Sequence, residues 1–176
     1  MGLKLSHAFI AVADLDEVVP FYTDILGFQV TDRGQLNDEV EAVFMSQDPD
    51  NHHQIALANS LKDRPEARTL GHVAFRMESL DDLRALKQRL QAEGIAIGRE
   101  LSHGNAWSLY FADPAGNGVE CFVDTPFHVS QPQGKPTDID LDDEALLAKT
   151  RADFGDEPEF GAYADWQDRF RARLND

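Results

Sequence analysis

Two stretches of the chain carry the same order of hydrophobic and polar positions. HAFIAVADLDEVVPFYTDILGFQV begins at His7, and HVAFRMESLDDLRALKQRLQAEGIAI begins at His72, an offset of 65 residues. At that offset Leu15 matches Leu80, Asp16 matches Asp81, Glu17 matches Asp82, Val18 matches Leu83 and Ile25 matches Leu90. Similarity at a fixed offset marks an internal repeat. Each copy opens with a short alternating segment, the period-two signature of a half-buried strand. A turn follows at Asp14-Leu15-Asp16 or Ser79-Leu80-Asp81, and Ser79 with Asp82 three residues on is an N-cap arrangement. The period then becomes that of a helix of about 10 residues. Its apolar face uses Val18, Val19, Tyr22, Ile25 and Leu26 in the first copy, and Leu83, Leu86 and Leu90 in the second. Gly27 and Gly94 are placed to end these helices.

Further strands are predicted at VEAVFMS and HHQIALA in the first half, and at AWSLYFA and GVECFVD in the second. Turns fall at Asp48-Pro49 and across Asp113-Pro114-Ala115-Gly116-Asn117-Gly118. Each half therefore reads strand, helix, strand, strand, strand. One half alone would leave a hydrophobic sheet face uncovered, whereas two can share it. The predicted fold is α+β, with paired βαβββ modules forming a curved mixed sheet around a shared cavity. These modules occupy residues 1–126, with repeats at about 5–60 and 70–124. Residues 127–176 read as an acidic C-terminal arm: FHVSQPQGKPTD is extended, DLDDEALLAKTRADF starts a helix, and YADWQDRFRARL is an amphipathic tail helix built on Tyr163, Trp166, Phe170 and Leu174.

Composition narrows the function. Hydrophobic residues are 42% of the chain, enough for a core and too many for a disordered protein. The net charge of −16, from 16 Lys+Arg against 32 Asp+Glu, repels a phosphate backbone and makes nucleic acid a poor partner. No apolar run is long enough to cross a bilayer, so no membrane partner is expected. The first residues lack the basic, apolar and small-residue order of a secretory signal. With Cys121 the sole cysteine, no intrachain disulfide can form, and a cytoplasmic setting is expected.

The chemistry-bearing residues lie on the repeat. His7 and His72 hold matching positions in the two opening strands. Glu120 stands inside the apolar run Val119, Cys121, Phe122 and Val123, where an inward carboxylate needs a partner. A divalent metal supplies one. Two imidazoles and a carboxylate with open positions form the facial triad of non-haem Fe(II) oxygenases. Of His52 and His53, strand alternation predicts that one faces the cavity. Tyr110 reads either as a substrate contact or as a core aromatic with a satisfied hydroxyl. His103 reads as a site residue or a loop residue, and His128 as a cap on the pocket mouth or a residue without chemistry. Phe9, Phe44, Phe75, Trp107, Phe111 and Phe122 read as core and walls.

The segments SHAFIAVADLDEVVPFYTDILGF, LGHVAF and SLYFADPAGNGVECF resemble the vicinal oxygen chelate superfamily over roughly residues 5–126. That superfamily includes glyoxalase I, an epimerase of methylmalonyl-CoA, fosfomycin and bleomycin resistance proteins and the type I extradiol dioxygenases. The pattern is most similar to the catalytic module of the extradiol enzymes. The resemblance implies a metal held by His7, His72 and Glu120, with Fe(II) expected and Mn(II) suited to the same site. It implies an acid–base role for His53, the second histidine of NHHQIALA. It further implies that His103, Asn105 and Tyr110 meet a small aromatic diol that reacts with O2. His128, from its place beside Pro126 and Phe127, is expected as a further substrate contact. The interval from His103 to Tyr110 is about two residues shorter than in many members. Larger members carry an additional N-terminal module, so a one-module enzyme that self-associates into a homo-oligomer is expected.

Three other functions are compatible with the fold. An isomerase or epimerase would need a fourth protein ligand, expected near Gln54 or Ile55 by repeat counting. A resistance transferase would need an anion pocket, for which Arg33, Arg76 and Arg99 are candidates. A non-catalytic binding protein would have no use for acid–base groups at His53 and His103.

Overall fold

The computed structural model describes residues 4–20, 22–23, 28–61, 70–112 and 118–174. The expected helix residues Ile25 and Leu26, the terminator Gly27 and turn residues 113–117 fall outside that set. The first half contains β1 (Lys4–Ala11), α1 (Leu15–Pro20), β2 (Gln29–Gln35), β3 (Glu41–Ser46) and β4 (Ile55–Ala58). The second contains β5 (Leu70–Arg76), α2 (Leu80–Ala92), β6 (Ile97–Ser102), β7 (Ala106–Ala112) and β8 (Gly118–Asp124). The arm adds β9 (Phe127–His128), β10 (Lys135–Pro136), α3 (Asp143–Phe154), β11 (Gly161–Ala162) and α4 (Tyr163–Leu174).

The repeat is plain in the strand order β10-β6-β7-β8-β5-β1-β4-β3-β2. Within each half the opening strand runs parallel to the closing one, β1 with β4 and β5 with β8, and β1 meets β5 antiparallel at the seam. The expected curved mixed sheet of an α+β fold is therefore present. Its outward residues face helices: Val43, Met45 and Leu57 pack under Leu15 of α1. Leu109 and Cys121 pack with Leu83 of α2 and with Ile139 and Leu146 of the arm. Burial pushes the Cys121 thiol up to about 11, which leaves it an inert core residue. The alternate residues of the same strands, including Phe44, Tyr110 and Glu120, turn to the cavity, as the period of two requires.

Local signals explain the element ends. Ser79 caps α2 by accepting from the Asp82 N–H at 3.1 Å, and Asp142 caps α3 by accepting from the Ala145 N–H at 2.9 Å. Gly94, with φ of 69°, lies just beyond α2 in the left-handed region that favours glycine. One expected strand is shorter than its sequence suggests. In HHQIALA only Ile55–Ala58 is extended, because Gln54 Oε1 turns back to accept from the Gln47 N–H at 2.9 Å and closes the β3–β4 hairpin. His52 and His53 thus stand in a turn, where strand alternation does not apply, and both line the cavity.

The arm is built into the body. It pairs β10 with β6, and Trp107 of β7 donates its indole N–H to Thr150 of α3 at 2.9 Å. Lys87 of α2 is clamped by Glu100 at 2.8 Å and Asp140 at 2.7 Å. Among the described residues, no helix is long and apolar enough to cross a membrane.

Candidate metal centre and cavity

His7 on β1, His72 on β5 and Glu120 on β8 come from the three central strands of the sheet. His7 Nε2 lies 3.1 Å from His72 Nε2 and 3.3 Å from Glu120 Oε2, and His72 Nε2 lies 3.1 Å from the same oxygen. Three donor atoms thus form a nearly equilateral triangle. Around an octahedral ion with ligands at about 2.0–2.1 Å, cis donors are about 3 Å apart and trans donors about 4 Å. The observed edges match three mutually cis positions on one face, so the residues fit a single divalent ion.

The electrostatics fit the same role. Burial, with opposition from Glu120, lowers the His7 pKa and favours the neutral, lone-pair-bearing ring. Burial alone would raise Glu120, but hydrogen bonds from His7 and His72 outweigh it and hold the carboxyl well below its usual range. Among the described residues, His7 Nδ1 is buried without a hydrogen-bond partner.

Beside the triangle, Tyr110 faces Glu120 across the β7–β8 ladder and donates its hydroxyl to Glu120 Oε1 at 2.6 Å. Burial and the Glu120 charge push the Tyr110 pKa well up, so it stays a neutral donor. His103 Nε2 is 2.9 Å from the same hydroxyl, while its Nδ1 meets the Gln133 carbonyl of the arm. His53 is 4.3 Å from His7 between ring centroids, and burial, then the neighbouring His7 and His52, lower its pKa far below the ordinary value. Asn105 lines the cavity and accepts from the Gln131 side chain at 3.3 Å. The cavity has a volume of about 360 Å³, with Phe9, Phe44, Phe122, Leu101 and Pro132 as its apolar walls.

Three expected residues have other positions. His128 does not line the cavity; it is stacked on Trp166 at 5.1 Å with Glu159 at its edge, because β9 turns its side chain into the arm. Gln54 is committed to the β3–β4 turn and also lies outside the lining. Arg33 is held by both oxygens of Glu41, leaving Arg76 and Arg99 as the cavity's arginines.

The strand register corrects the expected fourth-ligand position. Phe9 pairs with Ala56, and its repeat equivalent Ala74 pairs with Glu120. The counterpart of Glu120 is therefore Ala56, which is fully buried and has no donor atom. Sequence reading missed Asp32, Gln131, Pro132 and Gln133. Asp32 lies on an edge strand with no local signal, and the other three belong to the arm, beyond the repeat.

Paired βαβββ modules place two histidines and a glutamate on inner strands, a donor group that could hold a metal ion at the cavity floor. Residues 4–121 match the Glyoxalase/Bleomycin resistance protein/Dioxygenase superfamily, and the chain belongs to it. It is 31% identical over 126 residues to biphenyl-2,3-diol 1,2-dioxygenase 3 of Rhodococcus globerulus, covering 69% of this chain and 63% of that one. A second enzyme of that organism, biphenyl-2,3-diol 1,2-dioxygenase 2, is 28% identical over 167 residues and is covered to 85%, as is this chain. Among solved structures, the Mn(II)-bound glyoxalase from Novosphingobium aromaticivorans aligns with a TM-score of 0.56 and 33% identity, over 68% of this chain and 37% of that one. The chain thus spans less than two thirds of the first of these diol dioxygenases and of the glyoxalase.

Proposed function

We propose that the protein is an Fe(II)-dependent extradiol dioxygenase that cleaves a catecholic ring with O2. The observation that carries this reading is a three-donor face, His7, His72 and Glu120, with Ala56 where a fourth protein ligand would stand. His7, His72 and Glu120 would hold a divalent ion through three protein donors and would leave part of its coordination shell to the substrates. Fe(II) would supply Lewis acidity toward the diol hydroxyls and redox chemistry with O2. Mn(II) fits the same nitrogen and oxygen donors.

The protein's own groups account for the proton chemistry. His53, kept neutral by burial, accepts a proton from a substrate hydroxyl and returns it after ring opening. Tyr110 and His103 hydrogen-bond a substrate oxygen, and Asn105, also in the cavity lining, contacts the substrate beside them. Apolar walls exclude water and position the aromatic plane. Both atoms of O2 enter the product as the ring bond next to the diol breaks, giving a muconic semialdehyde-type compound. The diol dioxygenases among the relatives support the substrate class.

The test is anaerobic reconstitution with Fe(II), addition of a panel of catechols, admission of air, and simultaneous recording of oxygen uptake and yellow product absorbance. Stoichiometric uptake that is lost in His53→Ala and Glu120→Gln is expected. Metal bound without uptake on any diol would overturn the reading in favour of a non-oxidative reaction of the same fold.

A further inference from the structure

The cavity is served by a hydrogen-bonded chain that starts outside it. Asp32, at the bulge of edge strand β2, presents Oδ2 to His52 Nε2 at 2.9 Å. The other ring nitrogen of His52, Nδ1, lies 3.1 Å from His53 Nδ1. We propose that Asp32 and His52 are a positioning pair that places the His53 proton on Nδ1 and presents a bare Nε2 to the cavity, and that the C-terminal arm holds the pair. The catalytic consequence rests on the extradiol reading; the placement of the proton does not.

The assignment follows from donor and acceptor counting. A carboxylate oxygen has only lone pairs to offer, so His52 Nε2 carries the hydrogen in its contact with Asp32. A neutral imidazole has one N–H, which leaves His52 Nδ1 as an acceptor. Two nitrogens at 3.1 Å need one hydrogen between them, and it must come from His53 Nδ1. The remaining nitrogen of His53 is then unprotonated and free to accept a substrate proton. A base whose far side is fixed by a second group, itself oriented by a carboxylate, follows the general logic of oriented nucleophile–base chains.

Two features of the arm keep this chain in register. The Gln131 backbone N–H donates to the same Asp32 Oδ2 at 2.9 Å, which fixes the carboxylate between arm and turn. The Trp166 indole stacks on the His52 ring at 5.0 Å and 26°, with His128 packed behind it. Gln167 of α4 also donates to Asp50 at 3.1 Å, two residues before His52. Asp32, His52, Gln131 and Trp166 touch neither the three donor atoms of the metal face nor one another by accident of sequence proximity: they come from β2, the β3–β4 turn and two separate parts of the arm.

The test reads the tautomer directly. The full chain, labelled with 15N in histidine and loaded with Zn(II) as a diamagnetic occupant, is examined by long-range 15N–1H correlation, with His52→Gln and His53→Gln for assignment. The expected spectrum shows His53 protonated at Nδ1 and His52 at Nε2. Asp32→Ala should abolish the His53 preference. Asp32→Asn keeps an oxygen that the Gln131 N–H can hold, and should retain it. In the Fe(II) protein, Asp32→Ala should lower kcat about 10–100-fold with little change in KM, the usual cost of losing an outer-shell partner. His53 protonated at Nε2 in the unmodified chain, a doubly protonated His52, or an unchanged His53 tautomer in Asp32→Ala would each overturn the proposal. Should Asp32→Ala not fold, the unmodified chain and Asp32→Asn still decide it. Failure of every diol to react, with the expected tautomers present, would count against the extradiol reading alone.

Discussion

Replacing Trp166 with alanine should release α4 without unfolding the sheet. Trp166 is buried and stacks on His52, His128, Tyr163 and Phe170 at centroid distances of 5.0–5.3 Å. A buried indole hides roughly 150–250 Å², and truncating one costs about 3–5 kcal/mol. Phe170 is the other buried side chain of α4. Its polar ties to Asp50, from Gln167 and Arg171, are exposed and worth about 1 kcal/mol or less each. A 12-residue helix does not persist alone in water. Local opening of α4 should therefore become about 100- to 4,000-fold more populated, at roughly 1.4 kcal/mol per decade. Limited trypsin digestion, followed by mass spectrometry for cleavage after Arg169, Arg171 and Arg173, reads that population. The cleavage rate at those arginines should rise by the same factor while cleavage within strands β1–β8 stays unchanged. A rise under about tenfold in a properly folded variant would refute the claim that Trp166 anchors the helix.

Three further outcomes follow from the geometry. Ala56→Glu places a carboxylate at the repeat counterpart of Glu120; calorimetric titration with Mn(II) should show tighter binding, by about tenfold or more, with loss of ring cleavage. Unchanged affinity in a folded variant would show that position 56 does not address the metal. Glu120→Gln removes the charged donor, and the same titration should weaken by more than the roughly 10–100-fold typical of outer-shell losses. His128, lowered by burial and by His52 from 6.5 to about 4, binds a proton in the unfolded chain that the fold refuses. Stability should be level above about pH 6.5, fall as pH drops from there to about 4, and level again below; His128→Phe should flatten that slope in denaturant titrations.

The readable parts of the fold were those set by short-range periodicity. Alternation at His7 and His72, the Ser79 cap and the Gly94 stop each occupy a few consecutive residues, and the structure places the corresponding strand and helix ends there. Glu120 was conspicuous because a carboxylate inside an apolar strand has no bland explanation. The arm's contribution was invisible for the opposite reason. Gln131 and Trp166 reach the His52–His53 turn from far along the chain, and nothing near them in sequence announces that contact.

Counting across the repeat failed at one place for a definable reason. The offset of 65 residues holds between β1 and β5, and it carries Glu120 onto Ile55. Strand pairing is the physical constraint, however, and a slip of one residue turns every side chain to the other face. In the second half Tyr110 pairs with Glu120, ten residues on; in the first half Phe44 pairs with Ala56, twelve residues on. The β3–β4 hairpin is thus two residues longer, and those residues build the turn that carries His52 and His53. The first half gives up the counterparts of Tyr110 and Glu120, which become Phe44 and Ala56. In exchange the longer hairpin brings His53 beside His7, on the side of the donor triangle where Ala56 stands. The asymmetry of an otherwise faithful repeat therefore gives the two halves different contents: the second contributes His72, Tyr110 and Glu120 to the cavity, and the first contributes an apolar wall, His7 and His53, the imidazole that moves the proton on the proposed extradiol reading.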